Sequence, residues 1–485
     1  MRIILVRKSG NPACKIFFAC VSLFISLSAN SQDRWTLQQC IDYAIKNNIQ
    51  IKQSELSSQT DKYTLQQSEA YVLPSLNGSA YHGYNIGRAI DPFTNTFADS
   101  KVLSQNFSLS SSVTLFAGLQ NYNNILQNQY NFAAGKYDLD KAKNSLALNV
   151  ATGYLQVLFG EELAEVARSQ ADVTAKQEEQ TKRLVEAGKL AKGSLLDIQA
   201  QMASDELSMV NAQNQLDISY LTLGQLLNLE SIETFKIAKP EIVMPADPSL
   251  VSTSSQIYLS ALGILPEIKS AESRLKSAEK TVAASKGGAS PRLSLSGSYG
   301  TGYSGANKEL PTFNFAGYKP TGAVTDSGGM VYSPSYVASS APVVKSFDEQ
   351  FKQNVNKSFG LRLTIPLFNG LQTKTNISKA KIQEQNADYN LQLAKLQLLK
   401  TIQQAYADAG AALKKYYATL KAHDAILESF SYAEQKFNLG VVNALDYVTA
   451  KGKLVKAESD LLQAKYDYIF KTKVLDFYQG KPITF

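Results

Sequence analysis

Few side chains in this sequence could do covalent chemistry, and those few are not grouped. The only two histidines are His82 and His423. His82 has no ligand partner at useful spacing, and His423 continues the apolar series Leu413, Tyr416 and Leu420, so it reads as a packed residue. Cys14 and Cys20 fall within the first 31 residues and Cys40 stands alone, so no intramolecular disulfide survives removal of that segment. There is no P-loop, dinucleotide glycine fingerprint, nucleophile elbow or Cys-x-x-Cys pair. This argues against an enzyme, and any energy for work must come from another protein. Two charged residues remain of interest. Asp446 lies six residues after Gly440 at the start of a helix, where a carboxylate complements the helix dipole. Arg362 falls on the polar side of an alternating stretch, facing either a polar bore or bulk solvent.

The elements that hold these residues begin after a removable segment. Arg2, Arg7, Lys8 and Lys15 precede the apolar run Ile16–Leu27 and the small residues Ala29-Asn30-Ser31, the pattern of a secretory signal peptide over residues 1–31. Cys20 lies inside the apolar run rather than at its end, which speaks against lipidation there. Removing the segment takes four positive charges, so the formal charge of +7 becomes +3, and the basic balance says little about nucleic acid. The 485 residues are 44% hydrophobic, with a mean hydropathy of −0.18. Beyond the N-terminus no apolar run approaches the roughly 20 residues of a spanning helix. A β-barrel is not excluded, because alternating strands barely disturb average hydropathy.

Internal repetition organises the rest. Ile51-Lys52, Glu55 and Pro74 match Ile268-Lys269, Glu272 and Pro291 at an offset of 217. Phe107, Phe116, Gly118-Leu119-Gln120 and Gly188 match Phe359, Phe368, Gly370-Leu371-Gln372 and Gly440 at 252, and Leu196-Asp197 match Leu445-Asp446 at 249. Constant offsets broken only at loops indicate a duplication, with residues 32–254 as the first repeat and 255–485 as the second. Each runs helix, strand, loop, strand, long helix, tip turn, helix, and the second has a longer strand-to-strand loop over 305–357. No proline occurs between Pro92 and Pro240 or between Pro366 and Pro482. Residues 121–187 and 373–438 are therefore predicted as uninterrupted helices, each about 100 Å long. Shorter helices are predicted over 37–72, 195–230, 256–285 and 444–478. Leu398, Ile402, Ala405, Ala409, Leu413, Tyr416 and Leu420 form a coiled-coil seam.

Four stretches alternate instead. Phe359, Leu361, Leu363, Ile365 and Leu367 interleave with Gly360, Arg362, Thr364 and Pro366. Phe107, Leu109, Val113 and Leu115 interleave with Ser108, Ser110, Ser112 and Thr114, and Leu293, Leu295, Tyr299 and Tyr303 with serine and glycine. Leu76 to Tyr84 is a weaker fourth case. Each has one apolar face and one small polar face, as a strand between lipid and a polar lumen requires. Four strands do not close a barrel, and lipid does not tolerate an open sheet edge. Strands must then be pooled between copies. A dimer supplies eight and a trimer twelve, and inward faces of Ser, Thr and Gly suit the wider, open bore of a trimer. The expected fold is an α+β membrane protein: a trimeric, 12-stranded β-barrel, four strands per chain, continued by an α-helical coiled-coil barrel. A periplasmic coiled-coil scaffold without a pore is the alternative, and the alternating strands favour the barrel.

Several motifs, in this order, resemble the TolC-like outer-membrane efflux protein family. They are the opening Trp35-Thr36-Leu37-x-x-Cys40-Ile41-x-x-Ala44-x-x-Asn47-Asn48, and the strand-to-helix turns Leu115-Phe116-x-Gly118 and Leu367-Phe368-Asn369-Gly370. The tips Arg183-Leu184-x-x-Ala187-Gly188 and Lys436-Phe437-x-x-Gly440-Val441-Val442, each followed by Leu-Asp, complete the set. The resemblance covers essentially all of the chain after residue 31. It implies a homotrimer in the outer membrane with a long periplasmic extension. It also implies a passive exit duct for small molecules or proteins, coupled through a periplasmic adaptor to an inner-membrane pump of RND or ABC type; from the residues themselves, no cofactor or metal is expected.

It further implies roles for the tips. Leu184, Gly188, Lys189, Leu190 and Ala191, with Phe437, Gly440, Val441 and Val442, would form the adaptor-docking surface rather than plain helical connectors. Asp446 would supply an acidic ring at the tip constriction, where three like charges attract cations. The family's second acid is Thr449 here, and its basic residue two places after the glycine is Val442, so a two-ring, charge-locked gate does not carry over.

Overall fold

The computed structural model describes residues 34–90, 94–98, 101–240, 244 and 253–483. The predicted signal peptide lies outside the described residues. The chain divides into two compact units, one comprising Thr60–Phe132 and Ser273–Asp388, the other the remaining described residues.

The helices follow the proline map, with one systematic correction. The two long ones, α3 (Gln120–Glu186) and α8 (Gln372–Asn438), have 67 residues each. Residues 37–72 and 256–285, predicted as single helices, are each broken once. The first is α1 (Leu37–Asn47) and α2 (Ile49–Ala70); the second is α5 (Ser254–Ile264) and α6 (Pro266–Gly287). At Asn48 the backbone turns extended, and the Asn48 side chain accepts from the N–H groups of Gln50 and Ile51 at 2.9 and 3.3 Å, restarting the helix. Leu265 is extended because Pro266 follows it, and the proline occupies the first position of α6, where its missing N–H costs nothing. The two pairs have equal lengths, 11 then 22 residues, and each opens on a capping box, Thr36 with Gln39 and Thr253 with Gln256.

In the helical unit, Leu37, Cys40, Ile41 and Ala44 of α1 pack with Val150, Tyr154 and Leu158 of α3. Leu223 and Leu227 of α4 (Lys192–Leu227) and Tyr466 and Ile469 of α9 (Ala444–Tyr478) complete that core. Leu398, Ile402, Ala405, Ala409 and Leu413 are all buried along α8. His423 is half-buried, its Nδ1 3.2 Å from Asp424.

The other unit holds a four-stranded antiparallel sheet in the order β1-β4-β5-β8: Ser75–Asn85, Val102–Ala117, Arg292–Ser304 and Asn356–Thr364. A small pairing of β2 (Ala89–Ile90) with β3 (Phe97–Ala98) lies in the first loop. The second loop, 305–357, is not irregular as its Gly, Ser and Pro content suggests. It contains a hairpin of β6 (Phe313–Val324) and β7 (Met330–Ala338), closed over Asp326-Ser327-Gly328-Gly329, and a short helix, α7 (Phe347–Gln353), capped by Ser346. Cross-strand aromatic pairing drives the hairpin, with Phe315 opposite Tyr336 and Tyr318 opposite Pro334. α7 is fixed by Phe347 and Phe351 against Phe107, and by Gln350. The Gln350 amide is fully buried, accepting from Ser304 N–H at 2.9 Å and donating to the Ser304 and Lys345 carbonyls at 3.0 Å.

Candidate functional site: sheet faces and helical tips

Strand pairing sorts the sheet into two unlike faces, because directly opposed residues share a side. Across the strands run Ser79–Ser108–Gly300, Asn77–Ser110–Ser298–Ser358 and Ser75–Ser112–Ser296–Gly360, a surface of hydroxyl, amide and bare backbone. Serines bond across it, Ser79 to Ser108 and Ser298 to Ser358, both at 2.7 Å. The reverse face carries Leu76, Leu109, Val113, Leu293, Leu295, Phe359, Leu361 and Leu363. Arg362 lies on the hydroxyl face, opposite Ser294, and is exposed. α7 covers this face at the Phe107 end, whereas Leu109, Leu361 and Leu363 are 46%, 64% and 61% exposed, so most of the apolar face has no cover among the described residues. The outer strands β1 and β8 each have one unpaired edge.

Each strand-to-helix turn uses two consecutive left-handed residues, Gly118-Leu119 and Gly370-Leu371. At the first, the Gly118 and Gly287 backbones approach so closely that a Cβ on Gly118 would fall 2.5 Å from the Gly287 carbonyl oxygen. At Gly370 the same position is open.

The tips close the long helices with matching caps. Gly188 and Gly440 have φ of +71° and +72°. In the first, Lys189 N–H donates to Leu184 O and Gly188 N–H to Val185 O; in the second, Val441 N–H donates to Lys436 O and Gly440 N–H to Phe437 O. The first tip turn is shorter than predicted. α4 starts at Lys192 rather than 195, because Lys192, Gly193 and Ser194 form its first turn, with Ser194 N–H bonded to Ala191 O. Leu184 and Leu190 are half-buried, while Ala191 and Lys189 are exposed. The second tip is more apolar, with Leu439, Val441 and Leu445 exposed and Val442 half-buried. Asn443 caps α9 by accepting from Asp446 N–H at 2.8 Å, which fixes Asp446 in the first turn with its side chain exposed, and Thr449 is exposed three residues on.

Behind this tip lies a polar cluster that sequence reasoning did not single out. Tyr447 is fully buried, stacked on Phe437 with ring centres 4.7 Å apart, and accepts from Gln177. Lys451, one turn further along α9 and 2% exposed, donates to Thr174 Oγ1 at 2.7 Å. Thr174 donates to Asp205, whose other oxygen accepts from Gln201 at 2.6 Å. Burial pushes the Lys451 ammonium down to about 8, with Asp205 and Glu434 opposing the shift. A signal was present: Ile198, Asp205, Ala212 and Ser219 recur every seven residues on the buried side of α4, so an acid sits in a seam and requires a partner. Among the described residues, no group of His, Cys, Asp and Glu could hold a metal ion.

The family model described as outer membrane efflux protein matches residues 40–229 and 258–478. The chain belongs to the outer membrane efflux protein family. Outer membrane protein TolC of Escherichia coli is 22% identical over 464 residues, covering 93% of this chain and 83% of that protein. The alkaline protease secretion protein AprF of Pseudomonas aeruginosa is 21% identical over 444 residues, 90% of this chain and 82% of AprF. Among solved structures, the outer membrane protein VceC of Vibrio cholerae superposes with a TM-score of 0.72 at 16% identity, covering 92% of this chain and 96% of VceC. The efflux-family fold therefore holds across nearly the whole chain.

Proposed function

We propose that this protein is the outer-membrane exit duct of an export system. Three copies pool their strands into a 12-stranded barrel, with the hydroxyl face turned to the bore and the apolar face to lipid. The helices continue the passage into the periplasm. The observation that carries the reading is a four-stranded sheet with a hydroxyl face, an apolar face left largely open beyond α7, and two unpaired edges. A poreless scaffold has no use for such a sheet. Family membership supports the same reading, as do the outer membrane protein TolC and the alkaline protease secretion protein AprF among its relatives.

The two repeats, 32–254 and 255–485, then furnish alternating segments of one wall. The tips carrying Leu184 to Ala191 and Phe437 to Val442 dock a periplasmic adaptor. Three copies of Asp446, with Thr449 beside them, line the narrowest point. An inner-membrane pump of RND or ABC type supplies the energy, and the cargo is small molecules or proteins chosen by that pump.

The test is the mass of the detergent-extracted oligomer together with its conductance in a planar bilayer. A trimer that conducts steadily is expected. A monomer recovered from the soluble periplasm, or a verified inserted trimer that stays silent with and without adaptor, would overturn the reading.

A further inference from the structure

The four sheet strands contain no aspartate or glutamate, and their only formal cations are Arg292, Lys357 and Arg362. These three are not distributed evenly between the faces. Lys357 is opposite Tyr299 on the apolar side, its ammonium 5.8 Å from that ring. Arg292 is opposite Thr364, and Arg362 opposite Ser294, so the two arginines are diagonal neighbours on the hydroxyl face. Such positions are about 7–8 Å apart, within reach of two long side chains converging on one ligand. Both arginines are exposed.

Two like charges side by side, with no acid on any strand to balance them, are an unfavourable arrangement for a purely structural purpose. They are well suited to an anion. Guanidinium groups present planar forks of donors that match carboxylate and phosphate oxygens, and Ser294, Thr364 and Thr114 add hydroxyls at the same level. The level itself is significant. Arg292 opens β5 directly after the end of α6, and Arg362 lies near the end of β8, before α8. Both therefore mark the end of the sheet at which the chain passes into its helices.

We infer that Arg292 and Arg362 form an anion-binding collar in the bore, selective for solutes carrying carboxylate, phosphate or sulfate groups. This rests on the duct reading, under which three chains bring six guanidiniums to one level. The duct is then charge-asymmetric, with acid at the tip and guanidinium where the barrel begins, so an anionic solute that has passed the tip is drawn onward rather than back.

The test uses the purified oligomer in a planar bilayer at low salt, with inorganic tripolyphosphate added on the barrel side as a blocker. Arg292→Ser with Arg362→Ser should raise the concentration for half-block by about tenfold or more. Arg292→Lys with Arg362→Lys should retain the block. Lys357→Ser removes the same charge from the other face and should behave as the parent protein. Raising salt should shrink the difference, because charges in the bore are then screened. Should the serine pair not assemble, single Arg→Gln variants shift the block in the same direction. A conducting serine variant blocked like the parent, or an equal shift from Lys357→Ser, overturns the collar and leaves the duct standing. A silent parent oligomer overturns the duct and the collar with it.

Discussion

Lys451 and Asp205, on different helices, are joined through a single hydroxyl. The ammonium donates to Thr174 Oγ1 at 2.7 Å, and that oxygen donates in turn to the Asp205 carboxylate. Thr174 is fully buried and the other two nearly so, which makes this a desolvated charge pair bridging α9, α3 and α4 close behind the second tip.

Removing one member strands the other. Lys451→Met should cost about 3–5 kcal/mol, and adding Asp205→Leu should restore most of it, since an apolar replacement of both partners leaves no buried charge. Melting of the detergent-solubilised oligomer, followed by circular dichroism, checks both; equal destabilisation by the single and double variants would contradict the pairing.

The same group confers a pH dependence. Its ammonium titrates at about 8 in the fold against 10.5 when free, so between those values the unfolded chain binds more protons. Stability from this group rises as pH climbs from about 8 to 10.5, and the full cost of burying the charge is felt below about 8. The melting temperature of the parent protein should accordingly gain on that of Lys451→Met across that window and run parallel to it below.

The two strand-to-helix turns make a matched comparison. Alanine at Gly118 or Gly370 meets the same left-handed backbone, costing about 1–2 kcal/mol. Only at Gly118 does the new Cβ also strike the Gly287 carbonyl, at 2.5 Å. Gly118→Ala should therefore reduce assembled protein far more than Gly370→Ala, as read from oligomer yield in the membrane fraction.

Asp446 is tested by ion preference. Asp446→Asn should lower the cation-over-anion permeability ratio of single channels, and Thr449→Asp, which adds a second acid on the same turn, should raise it. A ratio unchanged by either would remove the tip constriction from these residues.

Gln350 anchors α7 to the sheet through two hydrogen bonds with the Ser304 backbone, and a third ties it to the Lys345 carbonyl. Gln350→Leu should free that helix, at a cost of about 1–3 kcal/mol for the backbone groups left unpaired. Trypsin should then cut at Lys345 or Lys352 faster than in the parent protein, with the rest of the chain intact.

The long helices and the two faces of the sheet were legible in the sequence because each rests on a local rule. Proline is absent across 121–187 and 373–438, and apolar residues alternate with Ser, Thr and Gly along each strand. The glycine caps at Gly188 and Gly440 were legible for the same reason. The breaks at Asn48 and Leu265 were not read, because helical periodicity continues across a one-residue interruption, although Pro266 marked the second. The β6–β7 hairpin was hidden by a composition rich in turn formers; its aromatic pairs become apparent only once Phe315 and Tyr336 are placed opposite one another. Lys451 and Asp205 are far apart along the chain, and no local pattern joins residues on separate helices.

The unpaired edges of β1 and β8 bear on heredity as well as structure. In the proposed trimer, where each chain completes its wall only with its siblings, every assembly is exposed to the worst member it recruits. A copy able to pair its edges but defective at the tip would therefore act dominantly, spoiling the normal chains made beside it, whereas a copy unable to pair would be silent.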